Sequence, residues 1–160
     1  MRLLWSYRAA FPQPLALNVV ILGPWVDHYT HRTIKAKTDW YRNGEYIEQE
    51  GHATDLIANE AIDFITTTRD REKPFFIYAS FNAPHLPLQE DEEWLSIYRG
   101  SSQPESRQFY AAMLTHVDDS IRRVLEALDS QGVAENTLVL FFSDNGAEGP
   151  GKKGYLTPQP

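Results

Sequence analysis

The stretch Thr137-Leu138-Val139-Leu140-Phe141-Phe142-Ser143-Asp144-Asn145-Gly146 decides the fold. It is apolar without alternation from Leu138 to Phe142 and stops abruptly at Asp-Asn-Gly. A run of this kind, bounded by turn residues, reads as a strand buried on both faces, the type found inside parallel sheets. Asp144 and Asn145 then stand at its carboxyl end, where open α/β sheets place their ligands. A carboxylate beside a carboxamide offers two hard oxygen donors of the kind that suits calcium or magnesium. Asn-Gly after a strand is also a common turn, and the turn is the simpler reading of the dipeptide taken alone.

Working outward, Phe75-Phe76-Ile77-Tyr78-Ala79-Ser80-Phe81 reads as a second buried strand. The loop after it, Asn82-Ala83-Pro84-His85-Leu86-Pro87-Leu88, carries two prolines that bar a helix and stiffen the backbone around His85. A rigid loop at the end of a strand is a good place to hold a functional imidazole, although a single loop histidine is more often just a polar residue. Ser102-Gln103-Pro104-Glu105 has the form of a capping box with proline in the first turn. The helix it opens carries Phe109, Met113, Leu114, Val117, Ile121, Val124, Leu125 and Leu128 on one stripe, with Gly132 as its stop. Met113 reads as core. His116, Asp118 and Asp119 read as solvated or locally paired. Strand, helix and strand make a βαβ unit whose strands should be parallel, with a right-handed crossover. His85 and the Asp144-Asn145 pair should therefore emerge on one edge of the sheet.

Upstream, residues 23–52 are aromatic, polar and punctuated by glycine, which predicts a long loop with short extended pieces. His28 and His31 are read there as surface or cleft histidines. Tyr41-Arg42-Asn43-Gly44-Glu45-Tyr46 predicts a hairpin turning on Asn-Gly. Thr54 is the expected cap of a helix whose apolar face holds Leu56, Ile57, Ala61, Phe64 and Ile65, with Glu60 and Asp63 solvated. Residues 89–101 read as an acidic connector.

The chain has 160 residues, 42% hydrophobic content and a formal net charge of -7, enough apolar residues for one core and no basic surplus for nucleic acid. With no cysteine there is no disulfide, thiolate site or cysteine nucleophile. No apolar stretch is long enough to predict a transmembrane helix. Arg2 and Arg8 precede Leu15 to Leu22 in the manner of an export signal, but Pro12, Pro14 and Asn18 interrupt the segment and no small-residue cleavage site follows. A buried strand or an unmatched leader is the preferred reading.

The ordered set Asp39 to Gly44, Thr54 to Ile65, Lys73 to Tyr78, Ala83 to Gln89, Tyr110 to Met113 and Asn136 to Gly146 resembles the sulfatase family, of the arylsulfatase and N-acetylgalactosamine-sulfatase kind, in the alkaline-phosphatase-like superfamily. The resemblance implies an α/β domain with a mostly parallel sheet flanked by helices. It places residues 22–154 in the middle of a sulfatase catalytic domain, with 1–21 as a leader or unmatched segment and 155–160 as an unmatched tail. It also implies hydrolysis of aryl or carbohydrate sulfate esters at a Ca2+ site. Asp144 and Asn145 look like calcium ligands, and His85 looks like the histidine that contacts the sulfate or donates a proton to the leaving oxygen. Lys153 is a weaker match to a downstream lysine. By the same resemblance, a sulfated small molecule or glycan is the expected partner and the address is extracytoplasmic.

The family's nucleophile motif, Cys or Ser-x-Pro-Ser/Thr-Arg, which supplies the formylglycine, does not occur in these residues; Ser102 to Arg107 has one residue too many. The chain by itself is thus expected to be inactive, with unpaired strand edges that make it marginally stable and prone to associate. Two other readings remain: a non-catalytic relative that binds a sulfated glycan or a partner, and a phosphoester or phosphonate hydrolase of the same superfamily.

Overall fold

The computed structural model describes residues 19–20, 26–33, 35–144 and 146. Three two-residue strands form an antiparallel sheet in the order β1 (Val19–Val20), β2 (Tyr41–Arg42), β3 (Glu45–Tyr46). The expected hairpin is the β2–β3 pair. Asn43 at φ 55° and Gly44 at φ 87° supply the two left-handed residues that an Asn-Gly turn requires.

Helix α1 runs Ala53–Asp63 and continues as a wider π-helical turn over Phe64–Thr68. Its N-cap is His52, two residues ahead of the expected Thr54; the His52 Nδ1 accepts from the Thr54 amide at 3.3 Å. Gly51 has φ 123°, and a Cβ there would stand 3.3 Å from Leu56 Cδ2, so glycine is needed for the chain to enter the helix. Glu60, expected in solvent, pairs with Arg42 and ties the hairpin to α1.

The acidic connector contains a short helix, α2 (Glu92–Leu95). Helix α3 runs Glu105–Ser130, and Gly132 in the left-handed region ends it as expected. The capping box is not formed: Pro104 occupies the N-cap with no side-chain cap, and its carbonyl takes the Arg107 and Gln108 amides.

Apolar burial is concentrated in three groups around these helices. Ala83, Leu88 and Leu95 meet Phe109, Ala112 and Met113 of α3. Trp40 packs with Ala53 and Leu56 beneath the hairpin. Ile65 at the end of α1 meets Ala127 and Leu128 at the end of α3. Met113 is core, as its place on the stripe predicted.

The two runs expected to be buried strands differ from that expectation. Neither pairs in a ladder among the described residues, where the one sheet is antiparallel. Phe75 and Ile77 turn onto the α1–α3 group while Phe76 and Tyr78 face out, so this run is covered on one side. Leu138, Val139, Leu140, Phe141 and Phe142 are all exposed, Phe141 by 81%. A two-faced apolar strand is buried only by neighbours on both sides, and the described residues cover neither face of 138–142.

Two outcomes follow. Met113→Ala should cost about 2–5 kcal/mol in urea unfolding, as the loss of a fully buried side chain from a packed group does. The bare Leu138–Phe142 run should drive self-association that rises with protein concentration in sedimentation velocity and weakens in Phe141→Asp. A monomer whose melt is sharp and independent of concentration would contradict the second.

Candidate functional site

His85 projects from the loop that follows the first apolar run, its ring exposed and its amide bonded to the Asn82 carbonyl at 2.8 Å. The Ala83-Pro84 and Leu86-Pro87 peptide bonds are both cis. His85 Nδ1 lies 2.9 Å from the Leu86 carbonyl. A carbonyl can only accept, so Nδ1 carries the proton in this arrangement.

Beneath that loop lies a polar support that the sequence did not announce. His28 is fully buried, its Nε2 donating to the His85 carbonyl at 3.1 Å and its Nδ1 receiving the Asn82 side-chain amide at 3.2 Å. The His28 backbone amide donates to Gln89 Oε1 at 2.8 Å, and Gln89 Nε2 donates to Asp27 Oδ2 at 2.7 Å. The other Asp27 oxygen accepts from the Tyr29 and Thr30 amides. One imidazole thus holds both ends of the turn that presents His85.

His28 stacks on His52 at 5.1 Å, His52 meets His116 at 4.8 Å, and His116 stacks on Trp94 at 4.9 Å. His116 Nδ1 lies 3.1 Å from both oxygens of Glu90, and its Nε2 lies 3.2 Å from Asp55 Oδ2. Arg123 pairs with Asp55 at 2.7 Å and also reaches Asn59. His31 stacks on Trp40 at 4.4 Å and donates from Nε2 to the Gly51 carbonyl.

Three placements correct the sequence reading. His28 and His31, expected at the surface or in a cleft, are buried by these stacks and bonds. His116, expected to be solvated or locally paired, is paired but buried, 1% exposed, with Glu90 on its Nδ1 and Asp55 Oδ2 3.2 Å from its Nε2. Gln89 and Glu90 belong to the buried support rather than to a connector. A signal for His116 was present: Phe109, Met113, His116 and Ser120 follow one another at helical spacing, in phase with the buried stripe.

Environment sets the charges. Burial pushes His28 down to about 4 and His52 down to about 3, so both are neutral near pH 7. Burial also leaves His31 lowered, against the Gly51 hydrogen bond and the Asp27 charge, which raise it. His116 goes the other way: burial would lower it, but the Glu90 hydrogen bond and the Glu90 and Asp55 charges raise it. Burial would raise Asp27, yet the Thr30, Gln89 and Tyr29 hydrogen bonds bring it below its ordinary value.

Asp144 is exposed just beyond the second apolar run. Asn145 and Lys153 lie outside the described residues. Among the described residues no helix is long and apolar enough to cross a membrane.

The sulfatase family model matches residues 24–160, and the chain belongs to that family. It is 34% identical over 133 residues to N-acetylgalactosamine-6-sulfatase of Mus musculus, a match covering 78% of this chain and 24% of that protein. It is 33% identical over 124 residues to the uncharacterized sulfatase YdeN of Escherichia coli K12, covering 72% and 22%. It is 30% identical over 132 residues to an arylsulfatase of Clostridium perfringens, covering 62% and 27%. The chain thus spans about a quarter of the length of these relatives. The solved structure of Ps i-CgsB in complex with k-i-k-neocarrahexaose superposes with a TM-score of 0.64 at 23% identity, over 73% of this chain and 29% of that one. Family and superposition together indicate an alkaline-phosphatase-like α/β fold.

The histidine environments predict how stability depends on pH. Unfolded His28 and His52 take up protons near 6.5, but the folded forms do so only near 4 and 3. The unfolded state therefore binds more protons between those values, and stability present above pH 6.5 is lost as the pH falls through that window. His116 has the opposite sign, adding stability at low pH that fades as pH rises through its raised value. Urea unfolding at pH 7, 5.5 and 4.5 should show a fall on the order of a few kcal/mol, with a shallower slope in His28→Gln. A flat profile over this range would show that the buried imidazoles are not held neutral.

Proposed function

We propose that the complete gene product hydrolyses sulfate esters, aryl or carbohydrate, and that this chain contributes His85, Asp144 and Asn145 to its active site. The observation that carries the reading is the fixed presentation of His85: an exposed imidazole on a loop held from below by buried His28. Family membership supplies the reaction class.

Asp144 suits calcium in its chemistry, being an exposed carboxylate with hard oxygen donors, and Asn145 would add a carbonyl oxygen. Calcium takes about 6–8 oxygen ligands, so two side chains hold it only weakly, at roughly millimolar affinity for this chain alone. When bound, a divalent cation would polarise sulfate oxygens and offset negative charge.

The role of His85 follows from its tautomer. With the Nδ1 proton held by the Leu86 carbonyl, donation from Nε2 to a sulfate or leaving oxygen requires the imidazolium. His85 therefore acts as a cationic donor toward the sulfate or leaving oxygen. Lys153 would add a second cation for the sulfate. An extracytoplasmic address is part of the same proposal.

The test is turnover of 4-nitrophenyl sulfate by the gene product that carries residues 1–160 together with a Cys or Ser-x-Pro-Ser/Thr-Arg sequence. His85→Ala should lower kcat about 10^2- to 10^4-fold, the usual range for a positioned proton donor. Asp144→Ala should abolish calcium-dependent activity. A faster reaction with 4-nitrophenyl phosphate would favour a phosphoester hydrolase, and unchanged kcat in His85→Ala would remove His85 from the chemistry. Calorimetry showing micromolar calcium binding to the 160 residues alone would overturn the two-ligand account.

A further inference from the structure

Away from the exposed residues of the proposed active site, His52, Glu90 and His116 converge, and one ligand atom of each lies within 4.8 Å of the others. We propose that these three buried side chains form a site for a divalent transition-metal cation of the zinc class. They come from distant parts of the chain: the cap of α1, the residue after Gln89 in the His85 loop segment, and the middle of α3. Two imidazole nitrogens and a carboxylate suit zinc, whereas calcium takes oxygen ligands alone.

Three observations carry the assignment. The first is spacing. Glu90 Oε1 is 3.1 Å from His116 Nδ1 and 4.0 Å from His52 Nε2. Donors about 2.0–2.1 Å from one tetrahedral ion stand about 3.4 Å apart, so the two Glu90 pairs are within about 0.6 Å of that spacing and the widest pair, within 4.8 Å, must close by about 1.4 Å. The second is His52 itself. Its side chain is 1% exposed, Nε2 stands 4.0 Å from Glu90 Oε1, beyond hydrogen-bond reach, and the ring's other polar neighbour is the Gln89 backbone. A buried ring nitrogen left this way is costly unless something binds it.

The third is the outer shell. His116 Nε2 lies 3.2 Å from Asp55 Oδ2, and Asp55 Oδ1 is held by Arg123 at 2.7 Å. A carboxylate on the far nitrogen of a metal-binding imidazole fixes its tautomer and raises its basicity. Trp94 stacked on His116 and His28 stacked on His52 flank the two rings, and three protein donors leave the fourth position to a water or to the second Glu90 oxygen.

A proton holds this place in the metal-free chain, on His116 Nδ1 between the two Glu90 oxygens. The cation takes the Nδ1 lone pair, that proton leaves to solvent, and Glu90 changes from acceptor to ligand. At His52 the ring proton shifts from Nε2 to Nδ1, so the 3.3 Å bond from the Thr54 amide is given up. The ion thus replaces one helix cap with a tie between α1, the loop and α3.

The site is tested on the untagged, metal-free 160-residue chain at pH 7.5, with Zn2+ in calorimetry and Co2+ in visible spectroscopy. One ion should bind per chain, Co2+ should give the intense visible bands of four-coordinate geometry, and Zn2+ should raise the thermal midpoint by several degrees. His52→Asn keeps a good helix cap while removing Nε2. That variant and Glu90→Gln should each lose the tight site, with folding verified by circular dichroism. Asp55→Asn should weaken binding about 10- to 100-fold through the outer shell. Excess calcium should not displace the zinc, which separates this site from Asp144 and Asn145. Absence of one-to-one binding to the wild type, or undiminished affinity in folded His52→Asn, would overturn the proposal.

Discussion

The carboxylate of Glu90 is the constraint on which the interior depends. It is 1% exposed, and a charge taken out of water is retained only when partners replace its hydration. Glu90 receives His116 through both oxygens and its own neighbour's amide, that of Asp91, at 2.9 Å. His116 passes the interaction to Asp55, and Asp55 to Arg123. The chain of alternating charges runs from the loop after the first apolar run, through the middle of α3, to the first turn of α1, and returns to α3. Removing Glu90 or His116 strands a buried partner, which typically costs about 3–5 kcal/mol, whereas the half-exposed Asp55–Arg123 pair contributes less. The network does little for net stability compared with apolar packing of the same volume, and it ties α1, the loop and α3 to one another.

The histidines of the column divide by what they face. His116 lies between two carboxylates, which favour its charged form. His52 and His28 have burial without a strong anionic partner, and they remain neutral near pH 7. Neutrality is what lets His28 do two things at once. A neutral imidazole has one donor and one acceptor, and His28 uses them on the His85 carbonyl and the Asn82 amide. An imidazolium would present two donors, one of them toward the Asn82 amide. The loop that shows His85 to solvent is therefore held by a group whose protonation state is fixed by depth. A surface histidine would titrate freely and could not keep this bond pattern.

Much of this could be read from the sequence where local rules govern. The Asn43-Gly44 hairpin, the stop at Gly132 and the placement of Met113 depend on backbone conformation or on helical period, both visible in a single chain. The helix starts were displaced, because Thr54 and Ser102 satisfy the capping rule in composition while His52 and Pro104 occupy the caps in space. The buried support was not legible. Polarity argues for solvent, and only partners remote in sequence reverse that expectation: Gln89 lies 61 residues from His28, and Glu90 lies 26 residues from His116. His116 was the exception that could have been found, since its phase on α3 matches the buried stripe.

The two apolar runs show how pattern and environment separate. Phe75 to Phe81 and Leu138 to Phe142 have the composition of inner strands, yet the described residues cover one face of the first and neither of the second. The reading of the pattern and the observed exposure are consistent once burial is treated as a property of neighbours rather than of a segment. A run without alternation asks for cover on both sides, and α1 and α3 can supply at most one. The helical layer is complete enough to hold a buried ion network in register. The sheet layer has its sequence but not, among the described residues, its ladder. The loop that carries His85 is fixed through His28 and Gln89. Asp144 stands just beyond a run whose apolar side chains are exposed.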